Sequence, residues 1–116
     1  MRAVGVTFRC RNLNKMKRFY TQILGWDVTE EGNNYCYLDT GGFTLGLLST
    51  RPKDWDYPTG SATFLDVEIE DPVTLRSVLA VKGVDLLREE VTDNAIFLHV
   101  EDPEGNIISF FRASEV

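Results

Sequence analysis

The sequence predicts an α+β fold in which one β-α-β-β-β unit is written twice, and three observations lead there. Apolar and polar residues alternate in eight short stretches, helical spacing interrupts that alternation twice, and the same order of elements recurs at offsets of 59 and 63 residues. Residues 3–10 (AVGVTFRC) put Val4, Val6, Phe8 and Cys10 on one face and Ala3, Gly5, Thr7 and Arg9 on the other, the signature of a half-buried strand. Asn12 is placed to cap a helix in which Leu13, Met16, Phe19/Tyr20 and Ile23/Leu24 recur at helical spacing, with Gly25 as its stop. Strands follow over 26–30, 35–39 and 43–49, separated by the turns EGNN (31–34) and TGG (40–42). RPKDWDYPTG (51–60), with two prolines and a glycine, reads as a connector.

The pattern then restarts. Residues 62–70 form a strand, with Leu65, Val67 and Ile69 on one face and Phe64, Asp66 and Glu68 on the other. Asp71-Pro72 is an N-cap followed by a proline at the first helical position, Leu75, Val78 and Leu79 carry the helical stripe, and Gly83 ends it. Strands over 84–91, 95–100 and 106–112 complete the unit. Offset 59 maps Gly5, Asn12 and Leu13 onto Phe64, Asp71 and Pro72, and offset 63 maps Gly42, Leu45, Gly46 and Leu47 onto Gly105, Ile108, Ser109 and Phe110. The expected organisation is a single domain over 1–116, made of module 1 (1–50), a connector (51–60) and module 2 (61–116). A unit of about 50 residues cannot cover both faces of its sheet. Each helix covers one face, so the two modules are expected to share the other, leaving a concave cleft suited to a small molecule.

Composition narrows the partners. The formal net charge is −6, yet the first 26 residues hold six bases and no acid, so the remaining 90 are strongly acidic. Such a balance disfavours nucleic acid and anionic membrane as partners and tolerates a cationic small molecule. No apolar run is long enough to cross a membrane and the first twenty residues contain no signal-type apolar stretch, so a cytoplasmic location is expected. Two cysteines, Cys10 and Cys36, without a CxxC pair read as reduced, buried thiols. His99 is the only histidine, which excludes any one-chain mechanism needing two. No GxSxG, GxxxxGK[ST] or GxGxxG motif is present, and no cofactor is expected.

The segments NLNKMKRFYTQILGW, DVEIEDPVTLRSVLAVKGV and VEDPEGNIISFF together resemble the vicinal oxygen chelate superfamily of glyoxalases, bleomycin-resistance proteins and extradiol dioxygenases. The resemblance implies paired β-α-β-β-β half-barrels around a deep pocket, often in homodimers. It also implies four strand positions that carry His, Gln or Glu as metal ligands in metal-dependent members. In this chain those positions are Gly5, Gly46, Phe64 and Ser109, so the sequence departs from the metal-binding pattern and no metal is expected.

Strand parity names the lining of the expected cleft: Thr7 and Arg9, Leu48, Phe64 and Asp66, Ser109 and Phe111, with Trp55 and Tyr57 supplied by the aromatic-acidic connector. Phe64 is either a plug filling the vacated metal position or an aromatic platform. Asp66 either pairs with Arg9 or meets a cationic group, since a carboxylate on an inner face must be paired, hydrogen-bonded or wet. His99 reads as a strand residue with local hydrogen bonds, and Ser109 as a hydroxyl with no base evidently in reach. The expected function is metal-free binding of a small cationic or aromatic organic compound, a sequestration like that of the bleomycin-resistance members. The alternative is a glyoxalase- or dioxygenase-like lyase or isomerase using Asp66 or His99 as acid–base, or a non-standard metal site.

Overall fold

Residues 2–49 and 64–113 are described by the computed structural model, in which the chain divides into two compact units, Met1–Gly60 and Ser61–Val116. The first unit runs β1 (Gly5–Cys10), α1 (Leu13–Arg18), β2 (Asp27–Glu31), β3 (Tyr35–Asp39) and β4 (Thr44–Ser49). The second runs β5 (Phe64–Glu68), α2 (Pro72–Val81), β6 (Arg88–Val91), β7 (Ala95–Glu101) and β8 (Ile107–Ala113). Each unit holds a four-stranded mixed sheet, ordered β1-β4-β3-β2 in one and β5-β8-β7-β6 in the other. The strand before each helix pairs in parallel with the last strand of its unit, and the other pairings are antiparallel. The predicted α+β class and the repeated element order are therefore both present.

Burial follows the alternation in the central strands, whereas Val4 and Val6, read as part of the apolar face of the first strand, are 62% and 39% exposed, and β2 and β6 are exposed throughout. In the first unit Phe8, Cys10, Cys36, Leu38, Leu45 and Leu47 are buried on the face that meets Met16 and Tyr20. In the second Leu65, Leu98, Val100, Ile108 and Phe110 do the same beside Leu79. Each such side chain stabilises its unit by roughly 1.5–3 kcal/mol relative to an exposed one. Cys10 and Cys36 are both free, and burial pushes the Cys36 thiol up from its ordinary range, with the Glu31 carboxylate adding to the effect.

The repeat extends to strand register. Thr7 pairs with Gly46 in the first sheet as Asp66 pairs with Ser109 in the second. The caps correspond as well: the Asn12 side chain accepts from the Lys15 amide at 3.1 Å, and Asp71 accepts from the Val73 and Thr74 amides at 3.0 and 3.2 Å.

Two elements differ from expectation. The first helix is regular only to Arg18 and continues as a π-helical turn, Phe19–Ile23, in which the Leu24 amide reaches the Phe19 carbonyl at 3.2 Å. Widening the turn lets the adjacent aromatics Phe19 and Tyr20 both face inward, where Tyr20 stacks on Trp26 at 5.8 Å between ring centres. Gly25, at φ +79°, then takes the left-handed position that closes the helix. The sixth strand is confined to Arg88–Val91, because residues 84–87 serve as an irregular approach tied to β7 by the Leu87 amide on the His99 carbonyl at 2.8 Å. Among the described residues no helix is long and apolar enough to cross a membrane.

Candidate functional site

The second sheet turns two faces to different tasks. Leu65, Leu98, Val100, Ile108 and Phe110 lie on the side of α2, so strand alternation sends Phe64, Asp66, Ser109, Phe111, Phe97 and His99 to the helix-free side. On that side the register builds a row across three strands. Asp66 of β5 is paired with Ser109 of β8, and Ser109 with His99 of β7. Same-face partners on neighbouring strands have Cβ atoms about 5 Å apart, so the three side chains stand in direct succession.

The β7–β8 turn sets this register. Asp102, 4% exposed, accepts from the Glu104 and Asn106 amides at 2.9 Å each and from Asn106 Nδ2 at 2.7 Å. Gly105 supplies the positive φ of +88° that the tight return requires. With the turn fixed, Glu101 must face Ile107 and His99 must face Ser109.

Aromatic side chains flank the row. Phe64 meets the His99 ring edge to face, with centres 5.5 Å apart and planes at 82°, and Phe97 tilts against Phe111 at 6.4 Å. Phe64 is 58% exposed, so its ring leaves more than half of its surface open. Asp66 is exposed, so its carboxylate carries no burial cost that would demand a partner. Ser109 is 3% exposed between longer neighbours on both adjacent strands.

Two expectations are corrected here. His99 was expected to be held by local hydrogen bonds, yet among the described residues its imidazole makes no side-chain hydrogen bond and rests against Phe64 instead. Ser109 was expected to lack a basic neighbour, yet an imidazole stands directly opposite it. Phe97 was missed altogether. The available signal was symmetry: residues 99 and 109, like 97 and 111, are equidistant from Glu104 in the middle of the turn.

Thr7, Arg9 and Leu48 lie on the helix-free face of the first sheet, where Arg9 is paired with Leu48 and Leu48 with Tyr35. Trp55 and Tyr57 lie outside the described residues. The four positions that the resemblance marks for metal ligands do not suit an ion. Gly5, Gly46 and Phe64 have no donor atom in their side chains, and Ser109 offers one neutral hydroxyl. A side chain at position 5 has no room either, because its Cβ would lie 2.3 Å from the Thr44 carbonyl oxygen. Among the described residues no group of three His, Cys, Asp or Glu side chains could hold a metal.

A hollow of about 450 Å³ lies on the other side of the second sheet, at the start of α2, bordered by Asp71, Arg76, Ile96 and Arg112. Most of its polar groups are engaged: Asp71 by the helix amides, Arg76 through one terminal guanidinium nitrogen by Glu89, although its Nε is buried without a partner, and Arg112 by the Glu70 carbonyl at 2.7 Å. The helix-free face, with unspent polar groups beside the exposed Phe64 ring, is the better candidate.

The model of the Glyoxalase/Bleomycin resistance protein/Dioxygenase superfamily matches residues 3–110. No curated protein matches the sequence. Among solved structures, a glyoxalase/bleomycin resistance protein/dioxygenase from Nocardioides superposes with a TM-score of 0.80 at 20% identity, covering 99% of this chain and 86% of that one. TnmS3, an antibiotic binding protein from Streptomyces sp. CB03234, superposes with a TM-score of 0.79 at 20% identity over 98% of both chains. Lactoylglutathione lyase from Agrobacterium tumefaciens gives a TM-score of 0.77 at 11% identity over 95% of this chain and 92% of that one. At these identities the likeness is one of fold.

Proposed function

This chain belongs to the glyoxalase, bleomycin resistance protein and dioxygenase superfamily, and from that premise we propose that it binds a small organic molecule with a flat apolar body, without a metal ion in the grip. The observation that carries the reading is Phe64. It replaces a ligand of the metal-dependent pattern with an aromatic ring that is 58% exposed and braced edge-on by His99. Full burial of a phenylalanine stabilises by roughly 1.5–3 kcal/mol, and more than half of that gain is still open to Phe64. A guest stacked on the ring collects it. The likeness in fold to an antibiotic binding protein supports sequestration as the outcome. We extend the proposal to a cytoplasmic homodimer, for which light scattering on the purified chain should return twice 13.2 kDa.

The test is a thermal-shift screen of flat aromatic compounds against the whole chain, since a ligand at 100 times its Kd adds about 2.7 kcal/mol. Stabilising compounds should keep their effect in excess chelator and lose about tenfold in affinity in Phe64→Ala. Affinity that vanishes with chelator, or a Phe64→Ala variant that binds as tightly as the parent, overturns the reading.

One observation favours a second reading, general acid–base chemistry on the bound molecule: His99 stands opposite Ser109 in the row beside Asp66. Mass spectrometry of ligand recovered after long incubation separates the two. Unchanged ligand supports binding alone, and a product that disappears in His99→Gln supports catalysis.

A further inference from the structure

The row on the helix-free face of the second sheet is unbalanced in its hydrogen-bonding capacity. Asp66 offers acceptors only, Ser109 one hydroxyl proton against two lone pairs, and a neutral imidazole one donor and one acceptor. Acceptors therefore outnumber donors, and among the described residues none of the three side chains makes a side-chain hydrogen bond. The next residue in line, Arg88 opposite His99, is the one cation of the row, and it is answered on its own strand by Glu90 at 3.2 Å. The row thus presents a net negative edge to a guest. From Asp66 to His99 it spans two strand spacings, roughly 10 Å at about 4.8 Å each, which is about the long dimension of two fused six-membered rings. Phe64 stands on the same face and supplies the flat wall against which such rings lie.

We propose that this row makes the site select flat two-ring ligands carrying hydrogen-bond donors, neutral or cationic, and reject their carboxylate counterparts. The proposal rests on the binding reading above and adds its ligand class. A donor on the guest meets the Asp66 carboxylate in a charge-assisted bond, about twice as strong as a neutral one, and a hydroxyl can give its proton to the free imidazole nitrogen. A guest carboxylate in the same place faces Asp66 with like charge and brings no proton for either acceptor.

The experiment titrates four probes into the whole chain by calorimetry: 2-naphthylmethylammonium, 2-naphthol, 2-methoxynaphthalene and 2-naphthoate. The ammonium and the naphthol should bind at least tenfold more tightly than naphthoate, with methoxynaphthalene between. Asp66→Asn should erase the advantage of the ammonium over methoxynaphthalene while leaving methoxynaphthalene itself unchanged, and His99→Phe should weaken naphthol at least threefold. Both substituted residues lie outside the buried core, and circular dichroism verifies the fold of each variant. Naphthoate binding as tightly as the ammonium overturns the donor selectivity and leaves the binding reading standing. Absence of binding by all four probes, or four affinities indifferent to Phe64→Ala, overturns both.

Discussion

Thr7, Gly46 and Tyr37 of the first sheet occupy the places that Asp66, Ser109 and His99 occupy in the second, in the same strand order and register. In the first row the floor residue has no side chain, and its neighbours close over the space: a Cβ at position 46 would lie 2.6 Å from Thr7 Oγ1 and 3.1 Å from the Tyr37 ring. In the second row the floor is a hydroxyl between a carboxylate and an imidazole. Position 5 and its counterpart 64 differ in the same sense. Gly5 lies against the neighbouring backbone, whereas Phe64 projects a ring more than half exposed. One duplicated frame thus supplies equivalent positions, and side chains decide whether a row is closed by packing or left lined with polar groups.

The largest expected effect tests that contrast at its tightest point. In Gly5→Ala the new methyl meets the Thr44 carbonyl oxygen, a backbone atom that cannot yield without parting β1 from β4. The expected cost is about 3 kcal/mol, the upper end for overpacking, read as a fall in the urea midpoint. Phe64→Ala, at the counterpart position, should cost less than about 1 kcal/mol because the ring is largely exposed. Gly5→Ala with the parent's stability breaks the claim that room sets the residue there. Thiol labelling sharpens it: Cys10 and Cys36 are each 1% exposed and both belong to the first unit. Ellman's reagent should therefore label native protein slowly and Gly5→Ala much faster, with Phe64→Ala unchanged.

A smaller effect is expected at position 46. Gly46→Ala presses on side chains rather than backbone, so the loss should be about 1–2 kcal/mol. Removing the closest atom with Thr7→Ala should restore at least half of it, a coupling that a double-mutant cycle measures. Ser109→Ala, in the counterpart place, should change stability by less than about 1 kcal/mol. Additive losses at positions 7 and 46 would mean that the first row is not closed by contact.

These residues also show how far a sequence reaches. Alternation placed Thr7 and Gly46, and Asp66 and Ser109, on the helix-free face, because side-chain direction in a strand follows parity alone. The offsets placed Phe64 at the counterpart of Gly5 and Ser109 at the counterpart of Gly46, and the pairing of Asp66 with Ser109 then follows from both units joining their first and last strands with the same register. The partner of His99 was harder to read, since it depends on where the VEDPEGNI turn closes, and a slip of one residue sends a strand's side chains to the other face. Asp102 settles that point through three hydrogen bonds that only folded geometry displays. The π-helical turn was hidden for a similar reason. FYTQI carries no glycine or proline, and what widens the helix is the inward packing of two adjacent aromatics, a tertiary demand.

The smallest expected effect concerns the two helix caps, which share a position in the repeat and differ in charge. Asn12 accepts one backbone bond and carries no proton that titrates. Asp71 accepts from two amides and from the Thr74 hydroxyl at 2.7 Å, and these bonds, the hydroxyl's first, hold its carboxyl below the ordinary aspartate range. A carboxyl lowered in the folded chain contributes stability that is present above the pKa of the unfolded chain and lost as pH falls through the folded value. Acid should therefore weaken the start of α2 and leave the start of α1 untouched. Asp71→Asn keeps an acceptor but removes the titration, so its melting midpoint should fall slightly at neutral pH and draw level with the parent in acid. Asn12→Asp, the reciprocal change, should introduce acid sensitivity where none existed. Because Asp71 is exposed, solvent screening keeps the difference small, and the comparison belongs in low salt. Parallel pH profiles for the parent and Asp71→Asn would mean that the cap works through shape alone and that its charge adds nothing.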